Sequence, residues 1–295
     1  MSSATSLFRF VQVELPWALG PPDGRYLLRP PDALPDANSS HVLVLATLGA
    51  PERRHLERIR RHPEARPEPE PAPVTTSRAT VIDVREPIAT VQEARAWLAR
   101  SGEEQLSEGI AVLNRALHAF RLVTEDPYLH GVGRGQAIVA RIGFGAGEQV
   151  ADGFWTEARE LPNSPARRGR SRVLAPQARL AAVLSGRESV LACEELALRA
   201  ELDLESGRDR EAALQVLVAL DAALAELAAE PVAEAIADRL AELRAQRSAV
   251  TIVAQAALAG PLADDQRSAV RFTLSRIVAA LRARAALNAR APQSP

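Results

Sequence analysis

Six glycines bracket one predicted strand. Gly131, Gly133 and Gly135 precede it, and Gly143, Gly145 and Gly147 stand at its far end. The chemistry open to such a pattern is anion binding: a strand, a glycine-rich turn and a helix start present backbone N–H groups, from which phosphate oxygens accept. Gly143, Gly145 and Gly147 are therefore the candidate cofactor-binding residues. The dinucleotide fingerprint would need a further glycine where Glu148 stands. A carboxylate there repels an anion, and no strand followed by Asp or Glu about 20 residues on completes the motif. Tight turns at both strand ends account for the same glycines, so no cofactor is expected.

His118, Glu125, Asp126 and His130 gather at the end of one predicted helix. Two imidazoles and a carboxylate can hold a divalent cation or pass a proton, which makes His118, Asp126 and His130 the candidate catalytic residues. The compact HExxH spacing is missing and His118 borders an apolar face, so a half-buried helix residue is the competing reading, and no metal is expected. Cys193 lies on an apolar stripe without a neighbouring histidine and reads as a small buried hydrophobe. No GxSxG elbow is present; Ser107 and Ser185 stand in helix-boundary contexts.

All 36 basic residues are arginine. The absence of lysine removes a Walker-type phosphate lysine, a kinase-type lysine and Schiff-base chemistry, pyridoxal phosphate included. A GC-rich bacterial genome, which favours Arg, Ala and Pro, explains the bias without a function. Arg53, Arg54, Arg58, Arg60 and Arg61 cluster early, and Arg167, Arg168, Arg170 and Arg172 cluster in the middle. The middle cluster is the candidate nucleic-acid contact, since guanidinium groups in an extended segment can follow a phosphate backbone. A net charge of −1, with no recognition motif and no interleaved aromatics, argues against it. Acids dominate between Glu194 and Glu242, while Arg267, Arg271, Arg276, Arg282, Arg284 and Arg290 dominate the last helix. Such asymmetry can steer a partner or pair one helix with another.

The elements that would position these groups fall into two halves. Leu7–Leu15, Arg25–Leu28, His41–Leu48, Ala79–Val84 and Gln136–Phe144 read as strands from their β-branched, aromatic or alternating composition. Pro51–Arg61 reads as a short basic helix. Thr90 with Glu93 is a capping-box spacing ahead of a helix carrying Val91, Ala94, Trp97 and Leu98. A longer helix after Ser101-Gly102 carries Leu106, Ile110, Leu113, Leu117 and Phe120 and ends at Asp126-Pro127. Gln149–Leu161 is expected to be a helix, with Val150, Phe154, Trp155, Ala158 and Leu161 at helical intervals.

The C-terminal third reads as five amphipathic helices. They are expected from Pro176 to Ser185, from the Ser185/Glu188 capping-box spacing to Ser206-Gly207, from Asp209 to Ala229, from Pro231 to Gly260, and from Asp264 onward. The last two would run about 27 residues each, roughly 40 Å at the α-helical rise. Leu196–Leu220, with Gly207, Ala212, Ala219 and Leu220, resembles one tetratricopeptide unit across a helix-turn-helix. A step of about 34 residues lands on Ala241, Gln246 and Ala254, without the glycine or the turn, so the segment is read as a single helical hairpin.

The expected fold class is an α+β N-terminal region, a short mixed sheet with helices, followed by an all-α antiparallel helical bundle, mostly helical overall. The expected divisions are a β-rich part over 1–62, a Pro/Glu-rich linker over 63–77, an α/β part over 78–161 that joins 1–62 in one domain, an Arg-rich linker over 162–173, and the bundle over 174–291. All aromatic residues but Phe272 lie in the first half, so a specific ligand site is expected there. The single cysteine excludes an internal disulfide, and no run of about 18 apolar residues occurs. A cytoplasmic protein that does not span a membrane is expected. The leading functional expectation is a non-enzymatic interaction or scaffold protein that self-associates or binds a protein partner through its C-terminal helices. The alternatives are a nucleic-acid-binding regulator using its arginine clusters and an enzyme with a site between His118 and Glu148.

Overall fold

Strand β1, Leu7–Leu15, is apolar on both sides over most of its length. Leu7, Val11, Val13 and Leu15 enter one core, while Phe8 and Phe10 enter another. A strand of this kind has to lie inside a sheet covered on both faces. The computed structural model, which describes residues 6–30, 38–49, 75–162 and 170–288 and all their side chains except those of 170–176, places it there. The chain divides into two compact units, Met1–Pro165 and Ala166–Pro295.

The N-terminal unit is one antiparallel sheet. Its other strands are β2 (Gly24–Leu28), β3 (His41–Leu48), β4 (Thr76–Ile88), β5 (Val139–Ala146) and β6 (Glu157–Glu160), in the order β2-β3-β4-β1-β5-β6. β4 is longer than its apolar centre Ala79–Val84 because it pairs at both ends: Thr76 stands opposite Leu48 and Ile88 opposite Leu7. It thereby takes in the last residues of the expected linker 63–77. One face of the sheet is covered by α1 (Val91–Arg100) and α2 (Glu103–Thr124), which bury Ala94, Leu98, Leu106, Ile110, Leu113 and Leu117 against it. The Thr90 hydroxyl accepts from Glu93 N and fixes the start of α1. α2 comes unusually close to β1, because Gly109 has no side chain: a Cβ there would lie 2.5 Å from that of Val11.

The other face is closed by the segment after β5. Gln149–Leu161 is not a helix. A 3-10 turn at Gly147–Asp152 is followed by Gly153 in the left-handed region, at φ 95°, and then by β6. Thr156 N donates to Phe144 O and Leu161 N to Ala140 O, so β5 captures the segment as an edge strand. Val150, Trp155 and Ala158 still reach one cluster, with Phe10, Val42 and Ile82, whereas Phe154 is 71% exposed. The helical spacing of these apolar residues is thus a coincidence of a turn followed by a strand. β5 itself begins at Val139, three residues later than Gln136, since Arg134–Gln136 forms a 3-10 turn.

In the helical unit α3 runs Arg170–Leu184, α4 Ala192–Glu205, α5 Asp209–Ala229, α6 Ala237–Ala259 and α7 Asp264–Asn288. α3 starts inside the expected linker 162–173, and Pro176 stands in its second turn rather than its first. Ser185 does not open α4: its hydroxyl donates to Ala182 O, Gly186 takes a left-handed φ of 72°, and the helix waits until Ala192. Pro231 is followed by an irregular turn and a 3-10 segment, so α6 and α7 have 23 and 25 residues instead of about 27. Contacts between ends set the directions. Glu226 near the end of α5 meets Cys193 at the start of α4, Arg210 at the start of α5 meets Ala257 O at the end of α6, and Arg267 meets Asp209, start to start. α4 to α7 therefore form an up-down-up-down bundle. α5 is long and apolar enough by composition to cross a membrane, and in this structure it packs against α4, α6 and α7, burying Ala212, Val216, Leu220, Ala223 and Leu227.

At Gly143 a Cβ would sit 2.6 Å from Glu157 O and 2.7 Å from the Phe10 ring. Gly143→Ala is expected to lower unfolding stability by about 1–3 kcal/mol, as overpacking does, read as a lower urea midpoint with an unchanged slope. A wild-type midpoint would mean that Phe10 is free to move aside.

Candidate functional site

Gly143, Gly145 and Gly147 do not leave a cradle. Phe10 lies on Gly143, and Val150 and the Trp155 backbone lie on Gly145. These two glycines are small so that the second sheet face can be covered, which is why they alternate along β5. Gly147 takes a positive φ of 68° to begin the 3-10 turn, and Glu148 beside it pairs with Arg25 at 2.6 Å. Gly131 abuts the buried Asn114. The Asn114 side chain donates to Val132 O at 2.9 Å and accepts from Val132 N at 2.7 Å, which ties the loop after α2 back to that helix. Of the histidine candidates, His130 is exposed and His118 half-buried. Asp126 accepts from Tyr128 N in a local turn just past α2. Among the described residues no three His, Cys, Asp or Glu side chains come together in a way that could hold a metal ion. Arg167 and Arg168 lie outside the described residues, as do Pro51–Arg61, expected to be a helix, and Pro63–Pro73; Arg170 and Arg172 lie in the first turn of α3 by backbone only.

The structure assembles three polar clusters instead. The first lies on the sheet face opposite the helices. Gln12, fully buried, donates to Thr80 Oγ1 at 3.0 Å and accepts from Arg141 at 3.2 Å. Glu14 Oε1 accepts from Arg78 at 2.9 Å and from Arg141 at 3.2 Å. The Ala151 carbonyl accepts from both Gln12 and Arg78, and the Arg141 guanidinium lies 5.8 Å from the Trp155 ring centre. These groups satisfy one another, and the cluster fastens the 3-10 turn onto the sheet.

The second cluster lies on the helix side. His41, Asp83 and Arg9 stand side by side across β3, β4 and β1. Both Asp83 oxygens are taken by Arg85, through Nε at 2.9 Å and Nη2 at 2.8 Å, and Arg85 N adds a third bond at 3.0 Å. Burial opposes ionisation of Asp83, but these bonds outweigh it and hold the carboxyl below its ordinary range. Burial lowers the His41 pKa; Asp83 opposes this, while Arg85 and Arg115 reinforce it. Half-buried Arg115, on α2, is likewise shifted down, by burial and then by Arg85. Arg9 is left over. Its Nη1 is 4.0 Å from Asp83, its guanidinium lies 5.8 Å from the Trp97 ring centre, and its buried Nε has no hydrogen-bond partner. Such an unsatisfied donor costs about 1–3 kcal/mol. Arg9 and Trp97 form one wall of a cleft of about 330 Å³ that also involves Glu86, Pro87, Ile88, Glu93 and Arg100.

The third cluster is in the helical unit. Arg284, 2% exposed, donates to Glu194 and Glu230, each at 2.9 Å, and to Ser189 O at 3.3 Å. Arg179 on α3 bonds the other Glu194 oxygen and Glu188. Arg284 thus pairs one helix with others: its long side chain reaches across to Glu194 at the start of α4 and Glu230 at the end of α5. Next to it the Glu226 carboxylate accepts from Ala192 N at 3.0 Å and Cys193 N at 2.9 Å, capping α4 from another helix. Burial opposes its ionisation, but these bonds win and its pKa falls below the ordinary 4.5. The Cys193 thiol is fully buried and pushed up to about 12, by burial first and then by Glu226.

Sequence reasoning missed Arg9, Asp83, Arg85, Arg115 and Glu226. A signal existed only for Arg9, Gln12 and Glu14, which interrupt an otherwise apolar β1.

Two outcomes follow from this chemistry. Cys193 is expected to resist iodoacetamide in the folded protein at pH 8 and to react fully in denaturant, by mass spectrometry; rapid native labelling would contradict its burial. A carboxyl whose pKa is lowered on folding contributes stability above its unfolded pKa and loses it as pH falls through the folded value. Glu226→Gln should therefore be less stable than wild type at pH 7, with the gap closing below about pH 4.5. A gap independent of pH would show that the charge of Glu226 plays no role in the cap.

Comparison with known proteins gives no significant match: neither a protein-family model, nor a curated protein, nor a solved structure is similar to this chain.

Proposed function

We propose that this chain is a non-enzymatic interaction protein that self-associates through its helical unit. The observation that carries the reading is α3. None of its described side chains, Gln177 to Leu184, is buried, and Leu180 and Leu184, one turn apart, are 57% and 79% exposed. A helix with apolar residues at this spacing gains its stability from a covered face, and among the described side chains of α3 only Arg179, Ala182 and Val183 are even half-buried. It is held at the start of α4 by Arg179 through Glu188 and Glu194. α4 in turn exposes a second leucine pair one turn apart, Leu198 and Leu202.

A second copy is the occupant best matched to this surface. Several of the opposed charges of α7 and α4/α5 are spent inside the bundle, through Arg284 with Glu194 and Glu230 and Arg267 with Asp209. Leu180, Leu184, Leu198 and Leu202 stay outward beside charges that pair locally, such as Arg199 with Glu195, and an isologous contact doubles that apolar area. Burying an exposed leucine is worth about 1.5–3 kcal/mol. Two such pairs on each copy, discounted for their partial exposure, are commensurate with an association cost of about 4–15 kcal/mol.

Native mass spectrometry of the full chain is expected to give a multiple of 31.7 kDa, and Leu180→Glu with Leu184→Glu to give a monomer with an unchanged far-UV spectrum. A wild-type monomer at the highest soluble concentration would overturn self-association. An oligomer that survives the double substitution would overturn α3 as its interface.

A further inference from the structure

We infer that the cleft between β1, β4 and α1 is a binding site for a small organic monocarboxylate with an apolar body. The acceptors around Arg9 are already taken. The nearest carboxylate, Asp83, gives both oxygens to Arg85 and stands 4.0 Å from Arg9 Nη1. Arg9 is therefore left with a buried Nε that has no acceptor, while 30% of its side chain stays exposed. Its backbone is fixed in a central strand opposite Asp83 and Phe144, and its guanidinium rests against Trp97 at the wall of the cleft. A carboxylate entering the cleft supplies the acceptor that the protein does not.

The remaining walls select among anions. Arg100, in the last turn of α1, brings a second guanidinium to the cleft, and arginine forks match the two oxygens of a carboxylate. Trp97, Ile88 and Pro87 supply apolar surface for the rest of the molecule. Glu86 and Glu93 also line the cleft. Two carboxylates beside two guanidinium groups leave no net positive charge, so a carboxylate is held by the local forks of Arg9 and Arg100, and each further negative charge on a phosphate or dicarboxylate adds repulsion from Glu86 and Glu93. The volume, about 330 Å³, lies at the small end of ligand sites. A monocarboxylate with an apolar body comes either with an amino group, as in an apolar amino acid, or without one, as in an aryl or alkyl acid. In the first case Glu86 and Glu93 receive the ammonium.

The test is calorimetric titration of the full chain with 3-phenylpropionate, L-phenylalanine and inorganic phosphate, with tryptophan fluorescence as a second readout. Saturable binding of at least one carboxylate is expected, and none of phosphate. Arg100→Gln, at an exposed helix end, and Trp97→Phe should each weaken it about tenfold, the loss of one charge-assisted contact or of some of the stacking surface. Arg9→Gln should abolish it. Preference for L-phenylalanine would assign the glutamates to an ammonium, and preference for 3-phenylpropionate would assign the site to simple acids. No saturable binding of either carboxylate overturns the inference. So does binding unchanged in Arg100→Gln, which stands as a test even if Arg9→Gln fails to fold, and so does phosphate binding in preference to both carboxylates.

Discussion

The N-terminal unit depends on the burial of β1 on both of its faces. A strand paired with β4 on one side and β5 on the other has no edge to spare, and its apolar residues point both ways. One face is covered by regular helices, and Gly109 lets α2 descend onto Val11. The other is covered by the six-residue 3-10 segment Gly147–Asp152 and Trp155, which stacks on Phe10 at 5.8 Å. So thin a lid works only because Gly143 and Gly145 leave room for Phe10 and Val150, and because Gln12, Arg78 and Ala151 O fasten it by hydrogen bonds. Glycines whose spacing suggests a phosphate loop are here the floor of a hydrophobic layer.

How much of this was legible depends on whether a feature is local. β1, β3 and α5 match the boundaries read from hydrophobic pattern alone, since each carries a long apolar run or stripe ended by breakers. The antiparallel bundle and the sheet-then-helices order were legible for the same reason. What failed was decided by partners distant in sequence. Glu157–Glu160 is a strand because β5 offers it an edge, which outweighs the helical spacing of Val150, Trp155 and Ala158. α4 begins at Ala192 rather than near Ser185 because Glu226, on the next helix, supplies its cap. Nothing local marks Asp83 or Arg85; the register puts Asp83 beside His41 and Arg9, and Arg85 closes on its carboxylate.

The arginine-only composition has structural consequences even if its cause is genomic. Arg284 binds two carboxylates and a carbonyl at once, and Arg78 binds Glu14 through two of its nitrogens. A planar fork with several fixed donors can bridge acceptors in this way, whereas a lysine ammonium is a compact point charge. The acidic stretch of α4 and α5 and the basic α7 look in the sequence like surfaces for a partner. In the folded unit several of these charges pair with each other, as an internal ion-pair lattice. Apolar side chains, Leu180 and Leu184 foremost, are then the outward feature of the helical unit that its own packing leaves unexplained.

The same reasoning separates closed polar clusters from an open one. Among the described residues, two arginine Nε atoms are buried without a partner, those of Arg9 and Arg284. Around Arg284 the other donors are engaged by Glu194, Glu230 and Ser189 O, so the missing bond is a local imperfection in a filled site. Around Arg9 there is no such filling: the nearest acid is committed to another arginine, and the guanidinium rests on an aromatic ring beside empty space. A buried donor short of an acceptor is costly for a fold to maintain. In a protein whose other clusters are so thoroughly paired, its position at the wall of a cleft is the feature that folding alone does not account for.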